Sequence, residues 1–228
     1  MGDAYLDLAR EGKNAWWRYL LSIVAVPLVW FVLLALMFAL FAVAVSLDGN
    51  PSTAFDLATG AVGVDPAVLM ARDWLTFPLL LLSLFVAIRF IHKRPLRSLI
   101  TPLSGFDWGR AGTGFGLMVI LAAGSSLVEA VLYPGRYELT WDANEFFTYV
   151  PLVLILIPIQ SATEEFLFRG YLIQSIALLI RRALIPAIVS SLVFMAIHFA
   201  NPEVAVNALW GATPCRENAS RRPLTRSC

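Results

Sequence analysis

Long runs without a single charged side chain constrain the fold of this chain more than any other feature. Hydrophobic residues make up 59% of the sequence and charged residues 14%, whereas soluble domains average about 45–50% and about 25%. An α-helix needs about 20 residues to cross the roughly 30 Å hydrocarbon core of a bilayer. The sequence therefore predicts an all-α, polytopic transmembrane helix bundle with five spans, at residues 19–47, 74–88, 111–128, 146–163 and 183–202.

The charges of the connecting segments predict the topology. Lys and Arg concentrate in cytoplasmic loops, and here they cluster ahead of the first span, after the second and ahead of the fifth. The segments after the first and third spans carry more acids than bases. We therefore predict a multi-pass protein of the cell membrane with a cytoplasmic N-terminus. An interfacial lead, residues 1–18, precedes the membrane domain, residues 19–213.

The C-terminal residues 214–228 break this pattern, because they form a polar, basic tail that five crossings would place outside the cell. Residues 207–211, just before the tail, are typical of the start of another membrane helix. Two interpretations remain open: a frameshift or truncation near Gly211, or a natural disordered tail. The first is wrong if no reading frame after the Gly211 codon encodes further apolar spans. Cys215 and Cys228, both near the end of the chain, define neither a metal site nor a disulfide framework.

Ionisable side chains interrupt the apolar pattern near the fourth and fifth spans. Each costs at least about 2.5–3.5 kcal/mol near the centre of a membrane helix, so we expect them to be functional. Glu165 and Arg169 are four residues apart on one helical face and suit an ion pair. Glu164 faces about 100° away and suits a general base. Phe194 and His198 share a face of the fifth span, and a water held between Glu164 and His198 could be activated there.

The segments EEFLFRGYL, residues 164–172, and FMAIHFAN, residues 194–201, resemble the CPBP intramembrane proteases. This family comprises CAAX prenyl endopeptidases and bacteriocin-processing or immunity proteins, also called Abi. Its signature is EExxxR, then FxxxH on a neighbouring span, then a further His with an Asn or similar residue. The resemblance covers residues 150–202 and implies that Glu164 is the water-activating base and His198 its partner in holding the water. The supporting residues are Glu165, Arg169, Phe194 and Asn201.

The third motif of the family has no counterpart in this sequence, which contains only two histidines. In such enzymes this motif is thought to donate hydrogen bonds to the developing oxyanion. Losing one such donor costs about 10²- to 10³-fold in rate. The chain is therefore expected to be a C-terminally truncated and impaired member of a peptidase family.

The resemblance also bears on cofactors and partners. A glutamate-activated water needs no metal, and the sequence contains no HExxH, so we predict no obligatory cofactor. A divalent metal such as zinc would have only Glu164, Glu165 and His198 as ligands. The expected partners are the lipid bilayer and a peptide or protein substrate, prenylated or not. No basic patch interleaved with aromatic residues points to nucleic acid, and His92, in a basic loop, is predicted to be solvent-exposed.

Two other functions remain open. The first is a non-catalytic membrane protein of the same fold, such as a bacteriocin immunity factor or a scaffold. The second is a transporter, in which intramembrane carboxylates relay protons or bind cations. The sequence shows no internal repeat and no second polar cluster in a corresponding half, which disfavours the transporter.

Overall fold

Helices provide nearly all of the regular structure. The computed structural model of the protein describes residues 2–56, 61–101, 105–134, 141–180, 182 and 184–199. These residues contain no β-strand, only an isolated bridge between Ala54 and Val62, which confirms the predicted all-α class. The helices are α1 (Gly2–Asp7), α2 (Trp16–Leu47), α3 (Pro66–Trp74), α4 (Thr76–Val86), α5 (Trp108–Leu132), α6 (Ala143–Glu164), α7 (Ile173–Ala177) and α8 (Leu184–Phe199). Two 3₁₀ turns (Leu8–Glu11 and Leu96–Leu99) and two π-helical segments (Ala87–Ile91 and Glu165–Leu172) connect or extend them.

Four helical stretches are long and apolar enough to cross a membrane, and they coincide with the first four predicted spans. Their bounds are Trp16–Leu47, Pro66–Ile91, Trp108–Leu132 and Ala143–Ala177. The fifth predicted span contains α8, which has 16 residues and ends at Phe199. The remaining residues of that span, like Asn201 and the tail 214–228, lie outside the described residues. The fifth span therefore stays a prediction.

The second span begins at Pro66, eight residues before the predicted start, so the predicted boundary at Trp74 was wrong. The side chain of Asp65 caps the helix by accepting from the Ala67 N–H at 2.7 Å, and Pro66 occupies the first turn, where its missing N–H is not needed. The charge of Arg72 does not end the helix, because this side chain is buried. It forms an ion pair of 2.7 Å with Asp73.

The buried core lies where α4 and the first π-helical segment meet the second one. Leu84, Ile88, Leu99 and Tyr171 form its centre. α4 packs between α2 and α6, and α8 packs against α7 and the second π-helical segment. α5, by contrast, has no buried residue. The core thus connects the second span directly to the segment that carries Glu165 and Arg169.

His92 is buried, with 2% of its surface exposed, so the prediction that it is solvent-exposed was wrong. Its Nε2 lies 2.9 Å from the Ser22 hydroxyl and 3.1 Å from the Tyr171 hydroxyl. The Lys13 N–H donates to the His92 carbonyl at 2.8 Å. The N-terminal lead therefore covers this loop and takes His92 out of water.

Acidification should destabilise the protein through His92. Burial is the largest cause that lowers the pKa of His92 below its ordinary value, and the neighbouring Arg94 and Arg18 act in the same direction. The unfolded chain then binds a proton more readily than the folded one, so the stability present above about pH 6.5 is lost as pH falls toward the folded pKa. Thermal unfolding in detergent between pH 7.5 and 5.5 should show a falling midpoint. His92→Gln should flatten this dependence, and an equal slope in the variant would contradict the assignment.

Candidate active site

The EExxxR motif lies where the helix changes its hydrogen-bonding pattern. α6 ends at Glu164, and Glu165 begins the π-helical segment. The Ile173 N–H donates to the carbonyl of Phe168, five residues earlier, which defines the wider π turn. π-helical insertions in α-helices occur frequently at functional sites. The two adjacent glutamates thus belong to different helical geometries.

Glu165 and Arg169 form the predicted ion pair, with 3.0 Å between Arg169 Nη1 and Glu165 Oε2. The two side chains are 50% and 72% exposed, respectively. The sequence predicted the pair but not its exposure. Exposed pairs contribute about 1 kcal/mol or less in water, so this contact orients the two side chains more than it stabilises the fold.

Glu164 is half-buried and is held from within its own helix. The Gln160 Nε2 donates to Glu164 Oε1 at 3.1 Å. Thr163, fully buried, donates to the Ile159 carbonyl at 2.8 Å and lies 3.3 Å from the Phe77 carbonyl of α4. The sequence analysis missed Gln160 and Thr163. The spacing of four residues from Gln160 to Glu164 in an apolar helix was the signal that could have identified the first of them.

His198 has one ring nitrogen engaged and one available. Its Nδ1 lies 2.9 Å from the carbonyl oxygen of Phe194. Because a carbonyl only accepts, Nδ1 donates, and Nε2 is the acceptor of the neutral ring. The ring lies against that of Phe194, with centroids 4.0 Å apart. The predicted FxxxH pair therefore acts as a unit that fixes the histidine ring.

Two contacts at Phe168 join α8 to the motif segment. The rings of Phe168 and Phe194 meet edge to face, with centroids 5.1 Å apart, and the buried Ser190 hydroxyl donates to the Phe168 carbonyl at 2.9 Å. A short connection makes neighbouring helices antiparallel. We therefore expect His198, one turn after Phe194, to lie at the level of the turn before Phe168, which contains Glu164.

The structure does not bring all of the predicted site residues into contact with one another. No hydrogen bond links Glu164 to His198 among the described residues, and Asn201 lies outside them. In the same part of the chain, no three His, Cys, Asp or Glu side chains are grouped as metal ligands. The roles of these residues, and the expectation that no metal is needed, stay predictions.

Comparison with known proteins places this arrangement in a family. Residues 146–215 match the family model described as Type II CAAX prenyl endopeptidase Rce1-like. The chain is 34% identical over 201 residues to the uncharacterized protein YyaK of Bacillus subtilis (strain 168). The chain belongs to the Rce1-like (CPBP) family.

The alignment with YyaK extends well beyond the motifs. It covers 88% of this chain and 66% of the relative, so the chain spans about two thirds of that protein's length. The region matched by the family model contains both motifs, from Glu164 to Asn201. No solved structure matches the chain.

Proposed function

We propose that the protein is a membrane-embedded endopeptidase of the CAAX prenyl endopeptidase type. The family is a peptidase family, and the chain carries its EExxxR and FxxxH motifs. The observation that carries the proposal is the packing of α8 on the motif segment through Phe168, because this contact joins the helix of His198 to the segment that follows Glu164. We expect Glu164 and His198 Nε2 to reach one water molecule held between these two helical segments.

In the proposed reaction, His198 Nε2 and the Glu164 carboxylate hold that water. Glu164 takes a proton from it while the water oxygen bonds to the carbonyl carbon of the scissile peptide. The C–N bond then breaks as the peptide nitrogen receives the proton from Glu164. The Glu165–Arg169 pair supports the helix that presents Glu164 and does not touch the substrate.

The test is cleavage of a membrane-bound peptide by the chain in lipid vesicles. The probe is a fluorogenic peptide ending in farnesyl-cysteine, two aliphatic residues and a variable residue, and the comparison peptide lacks the farnesyl group. The parent chain, which lacks the family's third motif, should release the C-terminal tripeptide slowly, and His198→Ala should reduce this release further. Absence of cleavage by the parent, or full activity of the variant, would contradict the proposal and favour the non-catalytic function.

Gln160 should affect turnover and not substrate binding. Gln160→Leu removes the N–H that donates to Glu164 and keeps a similar side-chain volume. A hydrogen bond to a charged group contributes about 1.5–3 kcal/mol, so kcat should fall roughly 10- to 100-fold while KM stays unchanged.

The matched control for Gln160→Leu is Ser161→Ala, an exposed neighbour on the same helix. It should leave kcat unchanged. Gln160→His restores a donor at the same position and should recover part of the rate. An equal loss in the histidine and leucine variants would show that the side chain only packs the helix and does not position Glu164.

A further inference from the structure

Lys93 has an unfavourable backbone conformation. Its φ is +53°, and no other non-glycine residue in the described part of the chain has a positive φ. Side chains with a Cβ rarely adopt this left-handed region, which Gly and Asn tolerate better. Both neighbours, His92 and Arg94, are buried, at 2% and 3% exposure. Lys93 is itself exposed, so its ammonium group points away from this buried pair.

The N-terminal lead adds a second cation beside Lys93. The Lys13 N–H donates to the carbonyl of His92 at 2.8 Å, so the Lys13 backbone lies next to that of Lys93. The Arg18 guanidinium bonds the carbonyl of Ile91 and fixes the same junction. Both lysine side chains are exposed. Residues 80 positions apart thus form one positively charged surface.

Two more exposed cations flank this surface along the chain, Arg89 in the last turn of the second span and Arg97 in the following 3₁₀ turn. Among the described residues, neither they nor the two lysines form an ion pair with a carboxylate. The nearby acid in the lead is Glu11, which is exposed. The surface therefore keeps a net positive charge.

Exposed aromatic residues place this surface at the edge of the apolar layer. Trp16, Trp17 and Phe90 are 74%, 46% and 69% exposed, and each lies at the same end of a predicted span as the cations. Indole rings concentrate at the level of the lipid headgroups. The Arg18 guanidinium lies 4.5 Å from the centre of the Trp17 ring. Cations beside such rings are at the depth of lipid phosphates.

We infer that Lys13 and Lys93, flanked by Arg89 and Arg97, bind the headgroup of an anionic phospholipid. The partner is a lipid because the cations sit directly beside exposed apolar spans and interfacial aromatics, where a headgroup phosphate meets the chain. The inference does not depend on peptidase activity.

The experiment measures lipid preference directly. The purified full chain in detergent is mixed with equal amounts of phosphatidylglycerol and phosphatidylcholine, and bound lipids are counted by native mass spectrometry. The parent should prefer phosphatidylglycerol. The double variant Lys13→Gln/Lys93→Asn should lower this preference about 30-fold, because each cation near an anionic lipid surface contributes about 1 kcal/mol. Asn suits a positive φ, so the variant should fold as well as the parent.

Two controls make the result specific. Arg182→Gln removes an exposed cation far along the chain and should leave the preference unchanged, and Lys93→Arg should retain it. An unchanged preference in the double variant, or an equal loss in Arg182→Gln, would overturn the inference. Displacement of phosphatidylglycerol by the same concentration of inorganic phosphate would also overturn it, because the occupant would then be a free anion.

Discussion

Glu164→Gln is expected to lower kcat for peptide cleavage by about 10²- to 10⁴-fold, the usual contribution of a positioned general base. The amide keeps the size of the side chain and can still accept from Gln160 at the 3.1 Å contact. It cannot take a proton from water. The thermal unfolding midpoint should therefore stay close to that of the parent while turnover collapses, and the fluorogenic farnesylated peptide measures the loss.

Glu165→Gln provides the matched control, since it makes the same chemical change one residue away. It breaks an exposed ion pair and should cost about 1 kcal/mol of stability or less. Its kcat should fall far less than that of Glu164→Gln. A larger loss of kcat in Glu165→Gln than in Glu164→Gln would show that Glu164 is not the general base and would contradict the proposed mechanism.

Gln174→Leu is expected to lower the free energy of unfolding by about 3 kcal/mol, because it leaves a buried cation short of partners. Arg94 is 3% exposed, and burial lowers the pKa of its guanidinium below the ordinary value. Its hydrogen bonds run to neutral acceptors: the Ser98 hydroxyl at 2.7 Å, the Ser98 carbonyl at 3.1 Å and the Gln174 side-chain carbonyl. Equilibrium unfolding in mixed detergent micelles, followed by circular dichroism, measures the change.

A double variant tests whether the stability lost in Gln174→Leu comes from leaving the Arg94 guanidinium without one of its hydrogen-bond acceptors. Arg94→Leu/Gln174→Leu removes the cation together with its acceptor, and replacing a buried polar pair with apolar residues is often nearly neutral. The double variant should therefore lose less stability than the sum of the two single variants. Additive losses would show that Gln174 contributes packing alone.

The helices of this protein were predictable because membrane spans depend on hydropathy and length, which are local properties. The start of the second span was not predictable in this way. The charges of Arg72 and Asp73 suggested a boundary after them, but the two side chains neutralise each other within the helix. His92 was predicted to be exposed because its sequence neighbours are basic. Its burial depends on Lys13 and Ser22, about 70 to 80 residues away, and no local pattern reveals such contacts.

The site, too, was predictable only where its contacts follow from the local spacing of residues in one helix. The spacing of Glu165 and Arg169 correctly predicted their ion pair, and the shared face of Phe194 and His198 correctly predicted their contact. The π-helical turn after Glu164 was not predictable from a period of 3.6 residues. The contacts of Phe168 with α8 also escaped prediction, because an apolar residue in an apolar helix carries no signal of its partner.

The seating of the N-terminal lead has a consequence for the order of folding. The Tyr5 hydroxyl lies 3.0 Å from the carbonyl of Leu99 and 3.2 Å from that of Arg169, which are 94 and 164 residues further along the chain. Ribosomes add about 5–20 residues per second. Roughly 10 to 30 seconds therefore pass between the synthesis of Tyr5 and that of Arg169, its second partner. The lead is thus synthesised well before its second partner, and it can reach its final position only after the EExxxR helix exists.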